Sequence, residues 1–140
     1  MPSFVLTARA QAPVEEVWKL LHDPARFPEW WTGVQTVRSD GSDHFTLWPV
    51  GYPDFPMAQR LRTEHADGRV TISCLVSDLE YRWQLGEAGE ATDIEVSVTL
   101  PDQEAHRLAT QRQLISESIR RLAALAVLSA PAPCAEDRGS

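Results

Sequence analysis

The sequence predicts an α+β fold. A curved antiparallel sheet of about seven strands wraps around one long C-terminal helix, and two short helices follow the first strand. Three observations lead there. Thr92–Leu100 alternates apolar and polar residues without a break, the signature of a strand with one buried face. Between Gly33 and Gly89, outside Trp48–Met57, the period stays near two and is punctuated by turn residues. Asp102–Leu128 contains no Gly or Pro and carries one apolar stripe at helical spacing. The length, 140 residues, suits one domain, expected over residues 3–128.

The first strand is expected in Phe4–Ala10, where Phe4, Leu6 and Ala8 alternate with Val5, Thr7 and Arg9. Pro13 then opens a helix, with Glu15 and Glu16 at its positive end and Val14, Val17, Trp18 and Leu21 on one face. His22-Asp23-Pro24 stops it, and Asp23 caps a second helical stretch, Pro24–Trp31. Val34–Ser39 and His44–Val50 flank the turn Asp40-Gly41-Ser42 as a hairpin. Trp48–Met57 holds three prolines and a glycine, which forbid a central strand, so it is expected to be an ordered loop with apolar tips. Ala58–His65 is strand-like and closes at Ala66-Asp67-Gly68. Val70, Ile72, Cys74 and Val76 form one face of the next strand, and Tyr81, Trp83 and Leu85 one face of the following one, which turns at Gly86–Gly89. In the last helix, Leu108, Ile115, Ile119, Leu122 and Ala126 make the stripe, and Glu117 is spaced to pair with Arg121. The Pro/Ala-rich and then polar stretch 129–140 is expected to be a disordered tail.

Composition narrows the function classes. Hydrophobic residues make up 43% and charged residues 24%, values ordinary for a globular domain. Thirteen basic residues face twenty acidic ones, a net charge of −7, and the basic ones do not cluster. This argues against binding nucleic acid through phosphates and against docking on anionic membranes. No apolar run approaches the length of a membrane span. Cys74 and Cys134 form no disulfide framework and no CxxC motif, and no signal peptide is evident, so a cytoplasmic location is expected. His22, His44, His65 and His106 lack metal-ligand spacing and are expected to face solvent; no metal or cofactor is expected. Nucleophile elbows, phosphate loops and dinucleotide fingerprints are missing too, and nothing marks a poised general base.

The order of elements and two motifs resemble a known superfamily. Ala12-Pro13-Val14-Glu15-Glu16-Val17-Trp18-Lys19-Leu20-Leu21 is similar to its Pro-initiated first helix. Asp23-Pro24-Ala25-Arg26-Phe27-Pro28-Glu29-Trp30-Trp31 is similar to the short helix that follows, with an aromatic residue and Trp at fixed spacing. The superfamily is the START/polyketide-cyclase (SRPBCC) group, and the resemblance covers roughly residues 3–128. It implies a helix-grip fold. It does not choose an activity, because the group includes lipid carriers, aromatase/cyclases, hydratases and co-chaperone domains.

A curved sheet and one helix cannot close-pack along their whole length, so an apolar pocket is expected between them. Ligand pockets run to about 300–1,000 Å³. An empty one costs on the order of 24 cal/mol per Å³, which a ligand or water would offset. Trp30 reads as an anchor that plugs the short helices against the sheet. Trp31 either lines the pocket or seals the fold. Trp48, Tyr52, Phe55 and Met57 either tie the loop down or form a gate. Tyr81, Trp83, Cys74, Ile94 and Val96 on the sheet and Ile115 on the helix are candidates for the walls. Gln59, Gln111 and Ser118 are candidate hydrogen-bonding groups, with Gln59 sharing the parity of Met57 and Leu61; solvent-facing positions are the alternative. Arg60, Arg62 and Arg82 are expected on the outer face. The leading expectation is a monomer or homodimer that binds a small hydrophobic or aromatic, lipid- or polyketide-like ligand. The alternatives are an aromatase/cyclase or dehydratase using the same pocket, and a chaperone-associated interaction domain.

Overall fold

A computed structural model describes residues 2–41 and 43–129. Met1, Ser42 and residues 130–140, with Cys134 and all of the expected tail but Ser129, lie outside the described residues; Ser129 is the last residue of the C-terminal helix. Seven strands form one antiparallel sheet: β1 Ser3–Ala10, β2 Val34–Ser39, β3 His44–Pro49, β4 Met57–Glu64, β5 Arg69–Cys74, β6 Glu80–Ala88 and β7 Ala91–Thr99. Their order is β1-β7-β6-β5-β4-β3-β2. The strands from β2 to β7 thus meander, and β1 closes on β7 in continuous register from Ser3↔Thr99 to Ala10↔Thr92. The connection from β1 to β2 crosses from one edge of the sheet to the other. It carries α1 Val14–Leu21, a 3-10 turn Pro24–Arg26 and α2 Phe27–Trp30. Asp23 caps that turn, its Oδ1 accepting from Ala25 N at 3.1 Å.

The sheet is the curved antiparallel one expected, gripping α3 Leu108–Ser129. Ile72, Trp83, Ile94, Val96 and Val98 are fully buried on its inner face, against Ile115, Leu122 and Ala126 of α3. Trp30 is fully buried too, and its Nε1 donates to Leu20 O at 2.9 Å, locking α2 onto α1. Trp30 meets Trp83 edge-on at 5.2 Å, and Phe27 meets Phe45 at 5.4 Å, so one aromatic cluster plugs the short helices into the sheet.

Four local expectations are corrected. The helix read from Asp102 begins at Leu108; 3-10 turns over Asp102–Arg107 lead into it. Val76 is not on the buried face of β5, which ends at Cys74; it stands 64% exposed in a turn. Strand β6 runs on through Gly86 to Ala88, and the turn falls at Gly89. Arg121 does not turn to Glu117. Its guanidinium donates to Thr32 Oγ1 at 3.1 Å and to Glu29 O at 3.0 Å, joining α3 to the segment after α2.

Candidate functional site

Helix α3 packs mainly on β1 and β7 and on α1 and α2. Its N-terminal half stands away from the β3–β5 side of the sheet, and a cavity of about 130 Å³ remains there. Inward parity supplies its sheet wall: Leu47 from β3, Met57 and Gln59 from β4, Cys74 from β5 and Tyr81 from β6. Leu79 and Ser77 add the β5–β6 turn, and Arg107, Gln111 and Leu114 form the helical wall. The remaining wall is the Trp31–Val34 turn, closed by Val34 N donating to Trp31 O at 3.1 Å. Gly33 holds φ +99° there, a conformation that L side chains rarely adopt. The turn is pinned to α3 at Ser118, whose Oγ accepts from Thr32 N at 2.8 Å and donates to Leu114 O at 2.7 Å. Outward, the cavity opens into a broader depression of about 840 Å³ that shares Trp31, Arg107, Gln111 and Leu114 and adds Val50 and Tyr52.

The polar groups of the cavity are few. Tyr81 donates its hydroxyl to Gln111 Oε1 at 2.9 Å, and both residues are buried. Burial pushes the Tyr81 hydroxyl well above the usual tyrosine range; the nearby Cys74 adds to this and Arg107 opposes it. Gln59 is 2% exposed and its Nε2 reaches Met57 O at 3.4 Å. Gln59 Oε1 and Ser77 Oγ are buried with no partner among the described residues. Arg107 is one-third exposed and pairs with Glu104 at 3.1 Å. The lining contains no Asp, Glu or His, and no cluster of metal-ligating side chains occurs among the described residues.

The structure brings Trp31, Met57, Gln59, Cys74, Tyr81 and Gln111 together around this cavity. Tyr52 reaches only the outer depression, and Phe55 is 63% exposed with its ring edge-on to Tyr52. The loop is therefore neither a plug nor a closed gate. Trp48 is outside the lining: Phe45 and Leu47 take the inward positions of β3, and Trp48 lies on the opposite face beneath the Arg38 guanidinium, 5.7 Å from its ring centroid. Trp83, Ile94, Val96 and Ile115 are core residues that do not reach the cavity, and Ser118 is spent on the Thr32–Leu114 link. Trp83 Nε1 is buried without a partner among the described residues. Arg60, Arg62 and Arg82 face outward, as their parity predicts. On that outer face Arg82 pairs with Glu80 and Arg69 with Glu64. The cavity-lining residues that sequence reasoning did not single out are Leu47, Pro49, Ser77, Leu79, Arg107, Leu114 and the Thr32–Val34 turn.

Residues 10–120 match the family described as polyketide cyclase/dehydrase and lipid transport. The chain belongs to that family. No curated protein sequence matches it. Solved structures similar to this polyketide cyclase/dehydrase family member include an uncharacterized protein from Bacillus thuringiensis, with 18% identity, TM-score 0.71 and coverage of 90% of this chain and 99% of that one. A START superfamily protein from Mycobacterium smegmatis is 15% identical with TM-score 0.65, covering 88% and 98%. The di-domain ARO/CYC StfQ from the steffimycin biosynthetic pathway is 17% identical with TM-score 0.73, covering 88% of this chain and 44% of StfQ. At these identities the likeness is one of fold. No helix among the described residues of this family member is long and apolar enough to cross a membrane.

Proposed function

We propose that the chain binds a small, mainly apolar or aromatic ligand in the cavity between the sheet and α3, with the ligand extending into the outer depression. The observation that carries this reading is the lining itself. Its walls are apolar, and its buried polar groups are neutral hydrogen-bonding side chains. The inner cavity, about 130 Å³, takes one end of such a molecule, and the wider opening takes the rest. Family membership supports ligand binding and cyclisation equally. General acid–base chemistry needs a group poised to exchange a proton near working pH. The inner cavity has no carboxylate or imidazole, His106 standing only at the outer depression, and Tyr81 holds its proton, which favours binding.

A second reading, an aromatase/cyclase or dehydratase, draws support from the family description, which names cyclases and dehydrases beside lipid transport. Native mass spectrometry of the chain purified from its source, with a thermal-shift screen of lipids, aromatic polyketides and hormones, tests the binding reading. An adduct of defined mass is expected, and its ligand should raise Tm by several degrees at a hundredfold excess over Kd. Bare protein under all gentle conditions, with no ligand shifting Tm, would sink it.

A further inference from the structure

We propose that the buried end of the cavity selects its ligand by a neutral hydroxyl group, and that any acidic group on the ligand sits at the mouth beside Arg107. The proposal rests on the binding reading above and adds the chemistry that orients the ligand. Gln59 Nε2 faces Met57 O at 3.4 Å, which fixes the amide, because the reverse orientation would set two carbonyl oxygens together. Gln59 Oε1 is therefore an acceptor, buried without a donor among the described residues, on a side chain that lines the cavity. Tyr81 has committed its proton to Gln111 Oε1, so its own oxygen can only accept. Ser77 Oγ, also unpartnered, can turn to donate or accept.

The buried end thus holds two acceptors, one adaptable hydroxyl and no cation. A carboxylate placed there would face acceptors in a desolvated pocket, which is unfavourable. An ammonium would find acceptors but no counter-charge among apolar walls, which is unfavourable for the same reason. A phenol or alcohol O–H satisfies Gln59 Oε1 at no charge cost. Arg107 is the one arginine or lysine of the inner lining; it is 34% exposed and borders both the cavity and the outer depression, where Arg121 also stands but donates to Thr32 and Glu29 O. An acid group belongs there, where solvation favours it and the guanidinium keeps N–H donors beyond the one it gives to Glu104 at 3.1 Å.

The test is a matched series of bicyclic probes, naphthalene, methoxynaphthalene, naphthol and hydroxynaphthoic acid, titrated calorimetrically and by Trp fluorescence, since Trp31 lines the cavity. Naphthol should bind about tenfold tighter than naphthalene or methoxynaphthalene, the gain of one good hydrogen bond. Gln59→Leu should bring the ratio of naphthol to naphthalene affinity to about one, whatever the affinity for naphthalene itself becomes. Hydroxynaphthoic acid should bind several-fold tighter than naphthol, an advantage lost in Arg107→Gln and at high salt. Equal affinities across the series in the unsubstituted protein would overturn the hydroxyl assignment and leave the binding cavity standing. Preference for the hydroxyl retained in folded Gln59→Leu would overturn the role of Gln59. Silence from every probe, in heat and in fluorescence, would remove the binding reading and this proposal with it.

Discussion

Tyr81 carries the balance of forces at the scale of one residue. Its ring packs edge-on against Trp31 at 5.2 Å, and its hydroxyl is tied to Gln111 inside the fold. Desolvation penalises the phenolate, so the folded state holds the proton above the usual tyrosine range. The sign follows from proton linkage. Below about pH 10 both folded and unfolded chains keep this proton, and its contribution is constant. Above that, the unfolded chain releases it and the native one does not, so stability falls by up to about 1.4 kcal/mol per pH unit. Denaturant titrations at rising pH should show this slope, and Tyr81→Phe should remove it. The same substitution leaves Gln111 Oε1 without its donor and should cost about 1–3 kcal/mol near neutral pH.

Among the elements, α3 does two jobs with two faces. Its apolar stripe fills the core with Ile115, Ile119, Leu122 and Ala126. Its N-terminal half carries Gln111 and Leu114 to the cavity and, through Ser118, holds the Trp31–Val34 turn in place. Ser118→Ala would strand the Thr32 N–H and loosen that turn. An expected loss of about 1–3 kcal/mol, read by chemical denaturation, should come with weaker binding of any cavity ligand. Arg121→Ala, which removes an exposed pair of bonds to Thr32 and Glu29, should cost about 0.5 kcal/mol or less. Should the two variants prove equally mild, the Ser118 link is not what sets the turn.

For the whole molecule, the aromatic plug and the Trp48–Met57 segment are separate features. Trp30 is fully buried among aromatic rings, whereas Tyr52 and Phe55 stand 59% and 63% exposed. Trp30→Ala should therefore cost about 3–5 kcal/mol, as a large core truncation does. The double change Tyr52→Ser with Phe55→Ser should alter stability by no more than about 0.5 kcal/mol. Thermal and urea unfolding of the two proteins separates them. A large loss in the loop variant would mean that the loop covers the cavity in solution.

The sequence by itself determined the elements and which way most of them face. Alternation in Thr92–Leu100 marked β7, and Pro13 and Asp23 marked the starts of the short helical pieces, whereas the parity Gln59 shares with Met57 and Leu61 made it only a candidate for the inner face, with a solvent-facing position as the alternative. These follow from periods of two and 3.6 and from caps, all of which are local. Only the tertiary structure decided which inward residues border empty space. Ile94, Val96 and Ile115 face inward as truly as Tyr81 does, yet they lie where α3 presses on the β1–β7 side, and their neighbours fill the room. Ser77 belongs to a turn with no period to read, beside Asp78 at φ 60°. Arg107 was hidden for a different reason: 3-10 turns advance three residues per turn, and a stripe drawn at 3.6 misplaces it. Trp48 shows the converse: read as part of the irregular loop Trp48–Met57, it lies in β3, where Phe45 and Leu47 take the inward positions and leave it on the outer face. Inward direction is a property of one strand; a cavity is a property of the distance between a helix and a sheet, and that distance is set by every residue packed between them.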